Sequence, residues 1–113
     1  EVALHGPTTG VLLRDGDIRH VTISPEDAGL RQAPVEALAG AGPEENAEWL
    51  VALLSGRGQA AHADAVALNA GVLAWVTGRA PTLRQGARMA REAVAGGGGA
   101  RRLSRLAEMS HGA

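Results

Sequence analysis

At 113 residues the chain is long enough for one hydrophobic core and too short for two. It has no cysteine, which removes disulfides, thiolate metal sites and cysteine nucleophiles. With 45% hydrophobic but only 2% aromatic residues, its core must be built from Ala, Leu and Val, with Trp49 and Trp75 as the large rings. The net charge of −1 conceals an imbalance: residues 1–78 carry ten acids and four arginines, whereas residues 79–113 carry seven arginines and two acids.

The opening stretch, EVALHGPTTG, has neither a methionine nor a leader-like run. It reads as a strand already under way, so a processed or partial chain is expected. Asp15-Gly16 then separates two runs rich in Leu, Val and Ile and supplies the positive φ angles of a tight hairpin. Strands are predicted near Thr9–Leu13 and Ile18–Ile23. SPEDAGL follows, with Ser24 as a cap, Pro25 presetting φ, Glu26 and Asp27 at the positive end of the dipole, and Gly29 as the stop. APVEALAG adds a turn or two, closed by Gly40.

A longer helix starts at Pro43 and stops at Gly56; its positions Ala47, Leu50, Val51 and Leu54 follow the spacing of a buried stripe, which Trp49 and Leu53 widen toward more than one neighbour. The next, after Ala61, is apolar nearly all round from Ala65 to Val76, as a central helix is. Its small residues Ala67, Ala70, Gly71 and Ala74 allow close neighbours, Asn69 requires a hydrogen bond to backbone, and Gly78 is the expected cap. Thr82 and Gln85 form a capping box for a third helix with the stripe Leu83, Ala87, Ala90 and Val94. The run Gly96 to Gly99 is expected to break it, and a last helix carries Leu103, Leu106 and Met109 and frays from Ser110 to Ala113.

The chain is thus read as one unit: strands and a hairpin over 1–24, and about four packed helices over 25–113. Two strands do not make a stable sheet alone, so EVAL calls for a partner strand from elsewhere. The longest apolar stretch, 67–76, is far short of the roughly 20 residues of a membrane span. A soluble, cytoplasmic protein with no membrane partner is expected, and the lack of cysteine fits a reducing compartment.

Candidate chemistry is sparse. His5, His20, His62 and His111 lack the short spacing that brings metal ligands together, and Ser24, Ser55, Ser104 and Ser110 lack a nucleophile elbow. His20, Ser24 and Asp27 are neighbours in sequence only, and capping accounts for Ser24. GGGGARR, residues 96–102, could cradle a phosphate, but it follows a helix rather than a strand and matches neither glycine fingerprint, so cap and linker is the better reading. GPTTG, residues 6–10, is a turn first. Arg84, Arg88 and Arg91 read as a solvated helix face, and no aromatic side chain in the basic end can stack on a base.

In order, GPTTGVLLRDGDIRHVTISPEDAGL, GPEENAEWLVALLSGRG, HADAVALNAGVLAWVTGRAPTLRQGARMAREAVAGG and ARRLSRLAE resemble the C-terminal portion of the anthranilate phosphoribosyltransferase family. The likeness covers essentially the whole chain. His62-Ala63-Asp64 departs from the usual Arg-Asp, and the glycine run replaces a Ser-Gly-Ala type of linker. The resemblance implies an α/β fold, here a sheet edge with packed helices. It also implies phosphoribosyl transfer from phosphoribosyl pyrophosphate to anthranilate in tryptophan biosynthesis, a Mg²⁺ cofactor and a homodimer. Catalytic and substrate-binding residues of the family lie upstream, so none is assigned here. The family's Asp-Glu pair that holds Mg²⁺ precedes the Gly-Pro-Thr turn, and EVALHGPT matches from the second acid, which makes Glu1 a metal ligand. An inactive, nucleic-acid-binding relative of the same fold, or a purely structural fragment, are the competing readings.

Overall fold

A computed structural model describes residues 1–112. Strands β1 (Thr8–Arg14) and β2 (Asp17–Ile23) pair antiparallel, with Thr8 opposite Ile23 and Arg14 opposite Asp17. Asp15 and Gly16, at φ 52° and 83°, make the two-residue turn between them. Positive φ at both positions is what a turn matching the strand twist requires, and the Asp-Gly pair tolerates it. The sheet has these two strands alone among the described residues.

Two short 3₁₀ turns follow, Pro25–Ala28 and Val35–Leu38. In the first, Asp27 bends back to accept the Ser24 amide hydrogen at 2.8 Å, and Gly29 leaves at φ 75°. Helices α1 (Pro43–Leu54), α2 (Ala60–Val76), α3 (Leu83–Ala95) and α4 (Gly98–His111) complete the chain. The expected hairpin with four helices is therefore observed. No helix of the described residues is long and apolar enough to cross a membrane.

The core is a cluster of Leu4, Ala28, Leu30, Leu68, Leu83 and Ala87, with Val2, Ile23 and Val72 packed against it. Helices α2 and α3 meet at its centre through glycine. A methyl group on Gly71 would lie 2.6 Å from the Ala87 nitrogen, and one on Gly86 would strike the Gly71 carbonyl oxygen. The helix propensity lost at Gly71, about 1 kcal/mol, is offset by this backbone-to-backbone approach. The capping at Thr82 is also observed: its Oγ1 accepts from the Gln85 amide at 3.1 Å and donates to Gln85 Oε1 at 3.1 Å.

EVAL is paired with no strand among the described residues, and its expected partner strand is not among them either. Four expectations are revised. In α1 the packed side is that of Leu53 and Leu54, whereas Ala47, Leu50 and Val51 of the expected stripe are exposed, so spacing located a stripe without revealing how much of it meets a neighbour. Helix α2 buries Ala67, Leu68 and Gly71 but leaves Leu73 67% exposed, so it is central on one side only. The glycine run breaks the helix at Gly96 and Gly97 alone, with Gly97 at φ 72°, because Gly98 and Gly99 already belong to α4. Gly99 is needed there for packing, since an added methyl would fall 2.7 Å from Leu54 Cδ2. Finally, α4 continues to His111 instead of fraying from Ser110, and its Leu106 and Met109 are exposed. The expectation for Ala113 lies outside the described residues.

The hairpin is fastened to α2 by Arg14, whose Nη2 donates to the Trp75 carbonyl at 2.9 Å while its guanidinium lies 5.3 Å from the Trp75 ring centroid. The acceptor is in the last turn of the helix, where carbonyls lack intrahelical partners.

Gly86→Ala is expected to lower unfolding free energy by about 1–3 kcal/mol despite alanine's higher helix propensity, because the new methyl forces α2 and α3 apart. A urea titration of the variant against the parent checks this, and unchanged or raised stability would contradict the packing argument.

Candidate functional site

Segment 1–8 is short, carries the one site residue expected from sequence, and is unusually well tied down. Glu1 is exposed. Next to it, the Val2 amide donates to Asn69 Oδ1 at 2.8 Å, and Asn69 Nδ2 donates back to the Val2 carbonyl at 3.0 Å. The Ala3 amide donates to Thr8 Oγ1 at 2.9 Å. Leu4 is 1% exposed in the core cluster, and its carbonyl accepts from the Ala33 amide at 3.1 Å.

These contacts hold the opening segment in place. A primary amide offers one acceptor and two donors, so the Asn69 side chain imitates a facing peptide unit at Val2. Its second Nδ2 hydrogen goes to the Ala65 carbonyl at 3.1 Å, one turn back in α2. The Val2 amide and carbonyl, the Ala3 amide and the Leu4 carbonyl are thereby hydrogen-bonded without a sheet. The turn His5-Gly6-Pro7 then redirects the chain into β1 at Thr8, whose hydroxyl closes the turn.

Glu1 offers a carboxylate, the hard oxygen donor that Mg²⁺ prefers. Both ion pairs among the described residues, Arg88 with Glu92 and Arg91 with Asp64, leave it out. No three His, Asp or Glu side chains gather as a metal site among the described residues. A carboxylate suits Mg²⁺ in kind, an ion that takes one or two such ligands and otherwise holds water and phosphate oxygens.

Other candidates are dispersed. His62 stacks obliquely on Trp49, with ring centroids 5.5 Å apart, and His111 Nδ1 lies 2.9 Å from the Ala107 carbonyl. His5 and His20 are exposed, one in the turn after Leu4 and the other on β2. The glycine run makes no phosphate cradle: the Gly96 and Gly97 amides donate to Glu92 and Val94 carbonyls, and Arg101 Nη1 turns back to the Gly96 carbonyl at 3.2 Å. Of the basic face, Arg84 Nη2 donates to the Glu26 carbonyl at 3.1 Å, while Arg88 and Arg91 sit in the two ion pairs. Arg84 and Arg91 fasten α3 to the first 3₁₀ turn and to α2, whereas Arg88 pairs within α3, and these contacts leave less free charge on this face for a polyanion than the sequence count implied.

Sequence reasoning found that Asn69 needed a backbone partner but did not identify it, because 67 residues separate it from Val2. It also missed Thr8 and Ala33 as anchors. A polar amide inside an apolar helix was the available signal for the first, and the second and third carried none.

Residues 1–100 match the family described as "Glycosyl transferase family, a/b domain". The chain therefore belongs to that glycosyltransferase family. Within it, the chain is similar to anthranilate phosphoribosyltransferases: it is 54% identical to that of Sorangium cellulosum over 97% of its own length and 32% of the relative's. Against the Shewanella amazonensis protein the identity is 46%, again over 97% of this chain and 32% of the relative. The crystal structure of anthranilate phosphoribosyltransferase from Thermus thermophilus superposes with a TM-score of 0.72 at 44% identity, covering 76% of this chain and 26% of that one. The resemblance read from the motifs is borne out. The chain spans about a third of the length of the curated relatives it matches.

Leu4→Ala is expected to destabilise the protein by about 2–5 kcal/mol, as truncation of a fully buried leucine does. Thermal unfolding checks this, and a loss below about 1 kcal/mol would show that the opening segment is not anchored through the core.

Proposed function

We propose that the chain is part of an anthranilate phosphoribosyltransferase and that Glu1 is a Mg²⁺ ligand in its active site. The supporting observation is the pairing of a free, exposed carboxylate with a backbone fixed immediately beside it at Val2 and Leu4. The similarity to anthranilate phosphoribosyltransferases supplies the reaction. In it the ribosyl C1–O bond to diphosphate breaks, a C1–N bond forms to the amino group of anthranilate, and that nitrogen gives up a proton. When bound, Mg²⁺ neutralises charge on the departing diphosphate.

The chain's own contribution is positional. Segment 1–8 holds the Glu1 backbone against the core, and α2 and α3 form the support behind it. Phosphoribosyl pyrophosphate and anthranilate would be bound chiefly by the remainder of a protein about three times as long, since the chain matches 32% of its relatives. A role in tryptophan biosynthesis, a cytoplasmic location and a homodimer belong to the same proposal. The isolated chain, with one metal ligand and no assigned substrate residue, is proposed to be inactive.

In the full-length protein, Glu1→Gln keeps size and hydrogen bonding but removes the charge. Transfer to anthranilate is expected to fall on the order of a hundredfold, with more Mg²⁺ needed for half-maximal rate. Steady-state rates across a Mg²⁺ series check this, and an unchanged rate and Mg²⁺ dependence would refute the metal role. Phosphoribosyl transfer by the isolated chain would refute its inactivity.

A further inference from the structure

The Asn69 amide is placed as a surrogate peptide unit, and its location gives it a second consequence. We propose that Asn69 is a positioning residue that sets the Glu1 carboxylate for metal binding; this rests on the Glu1 reading above. Glu1 itself takes part in neither ion pair of the described residues. The peptide that joins it to Val2 is held by the hydrogen bond from the Val2 amide to Asn69 Oδ1 at 2.8 Å. The far side of Val2 is held by Asn69 Nδ2 at 3.0 Å. Gripping one residue on both its amide and its carbonyl restricts rotation of the chain about that residue, so the Glu1–Val2 peptide, and with it the Glu1 Cα, has a fixed place.

The orientation of the amide is decided by its partners. Nδ2 faces two carbonyls, those of Val2 and Ala65, and Oδ1 faces an N–H; the reversed amide would set its donor against a donor and its acceptor against two acceptors. The Ala65 hydrogen bond also keeps the side chain from swinging away from Val2.

The residue stands on a rigid element. Two positions further along α2, Gly71 is in backbone contact with Gly86 and Ala87 of α3, and one position before, Leu68 is fully buried. A ligand-bearing segment fixed to such a support keeps the root of its side chain in place when the ion and diphosphate arrive, a contribution of the kind made by residues behind a metal ligand. Asn69→Ala removes the grip on Val2 entirely. Asn69→Asp, of the same size, retains only the acceptor and puts negative charge against two carbonyls.

Four variants of the full-length protein test this: Asn69→Ala, Asn69→Asp, Glu1→Gln and Leu53→Ala. Leu53 is buried in α1 and lies outside the core cluster that holds Leu4, so its variant reports lost stability alone. Half-saturating Mg²⁺ in the transferase assay is measured together with Mn²⁺ affinity by electron paramagnetic resonance of the free ion. Both Asn69 variants are expected to need about tenfold more Mg²⁺ and to bind Mn²⁺ about tenfold more weakly, with Leu53→Ala unchanged in both. If Glu1→Gln shifts the metal dependence while the Asn69 variants behave like Leu53→Ala, the positioning role is overturned and the metal reading stands. If Glu1→Gln shifts nothing, the metal reading fails and the positioning role fails with it.

Discussion

The close approach of α2 and α3 at Gly71 and Gly86 is the constraint on which the rest of the chain depends. With no Cβ on either residue, the two backbones come together where any side chain would collide. That contact brings Leu68 of α2 beside Leu83 and Ala87 of α3, and Leu4, Ala28 and Leu30 complete the same cluster. A core with no phenylalanine or tyrosine has small volumes to dispose of, and it reaches close packing by moving backbones together instead of filling a wide gap with rings. The low aromatic content and the glycine pair are two aspects of one solution.

Three connections radiate from this centre, and each uses a backbone carbonyl as its anchor. Arg14 ties the hairpin to the Trp75 carbonyl, Arg84 ties the first 3₁₀ turn to α3 through the Glu26 carbonyl, and the Leu4 carbonyl ties the opening segment to Ala33. In the first two, an arginine shares a carbonyl that also accepts a backbone amide, Gly78 at Trp75 and Gly29 at Glu26. The hairpin and the opening segment, which have no sheet to join among the described residues, are thereby integrated with the helices. The faces left over are apolar as well: Val11, Leu13 and Ile18 on the hairpin and Leu73 on α2 are exposed. That pattern accords with a chain that spans about a third of its relatives.

Local chemistry was legible in the sequence wherever it depended on neighbours within a few positions. Asp15-Gly16 gave the hairpin, Pro43 and Gly56 bounded α1, and Thr82 with Gln85 began α3, because caps and turns are satisfied by residues two to four positions away. Burial was legible only where one helix face had one neighbour. Gly71 announced a close contact in α2, but in α1 Ala47, Leu50 and Val51 were assigned to the interior along with Leu53 and Leu54, which do pack, since periodicity records that a face is apolar and not what lies opposite. In the site, Glu1 was assigned through a motif resemblance, whereas its surroundings depend on contacts between residues far apart in sequence. The amide of Asn69 was visible as a demand for partners, and only the fold could reveal that Val2 meets it.

The 67 residues between Val2 and Asn69 also bear on the order in which the molecule can assemble. Turns and the hairpin close small loops and form early, but the opening segment acquires its amide clamp only when α2 has formed and returned to it across most of the chain. During synthesis the opening segment emerges well before α2 and receives its clamp late. A chain ending before α2 would contain Glu1 and the whole hairpin yet lack the clamp, so a contact made by the first residues waits on a helix that begins at Ala60.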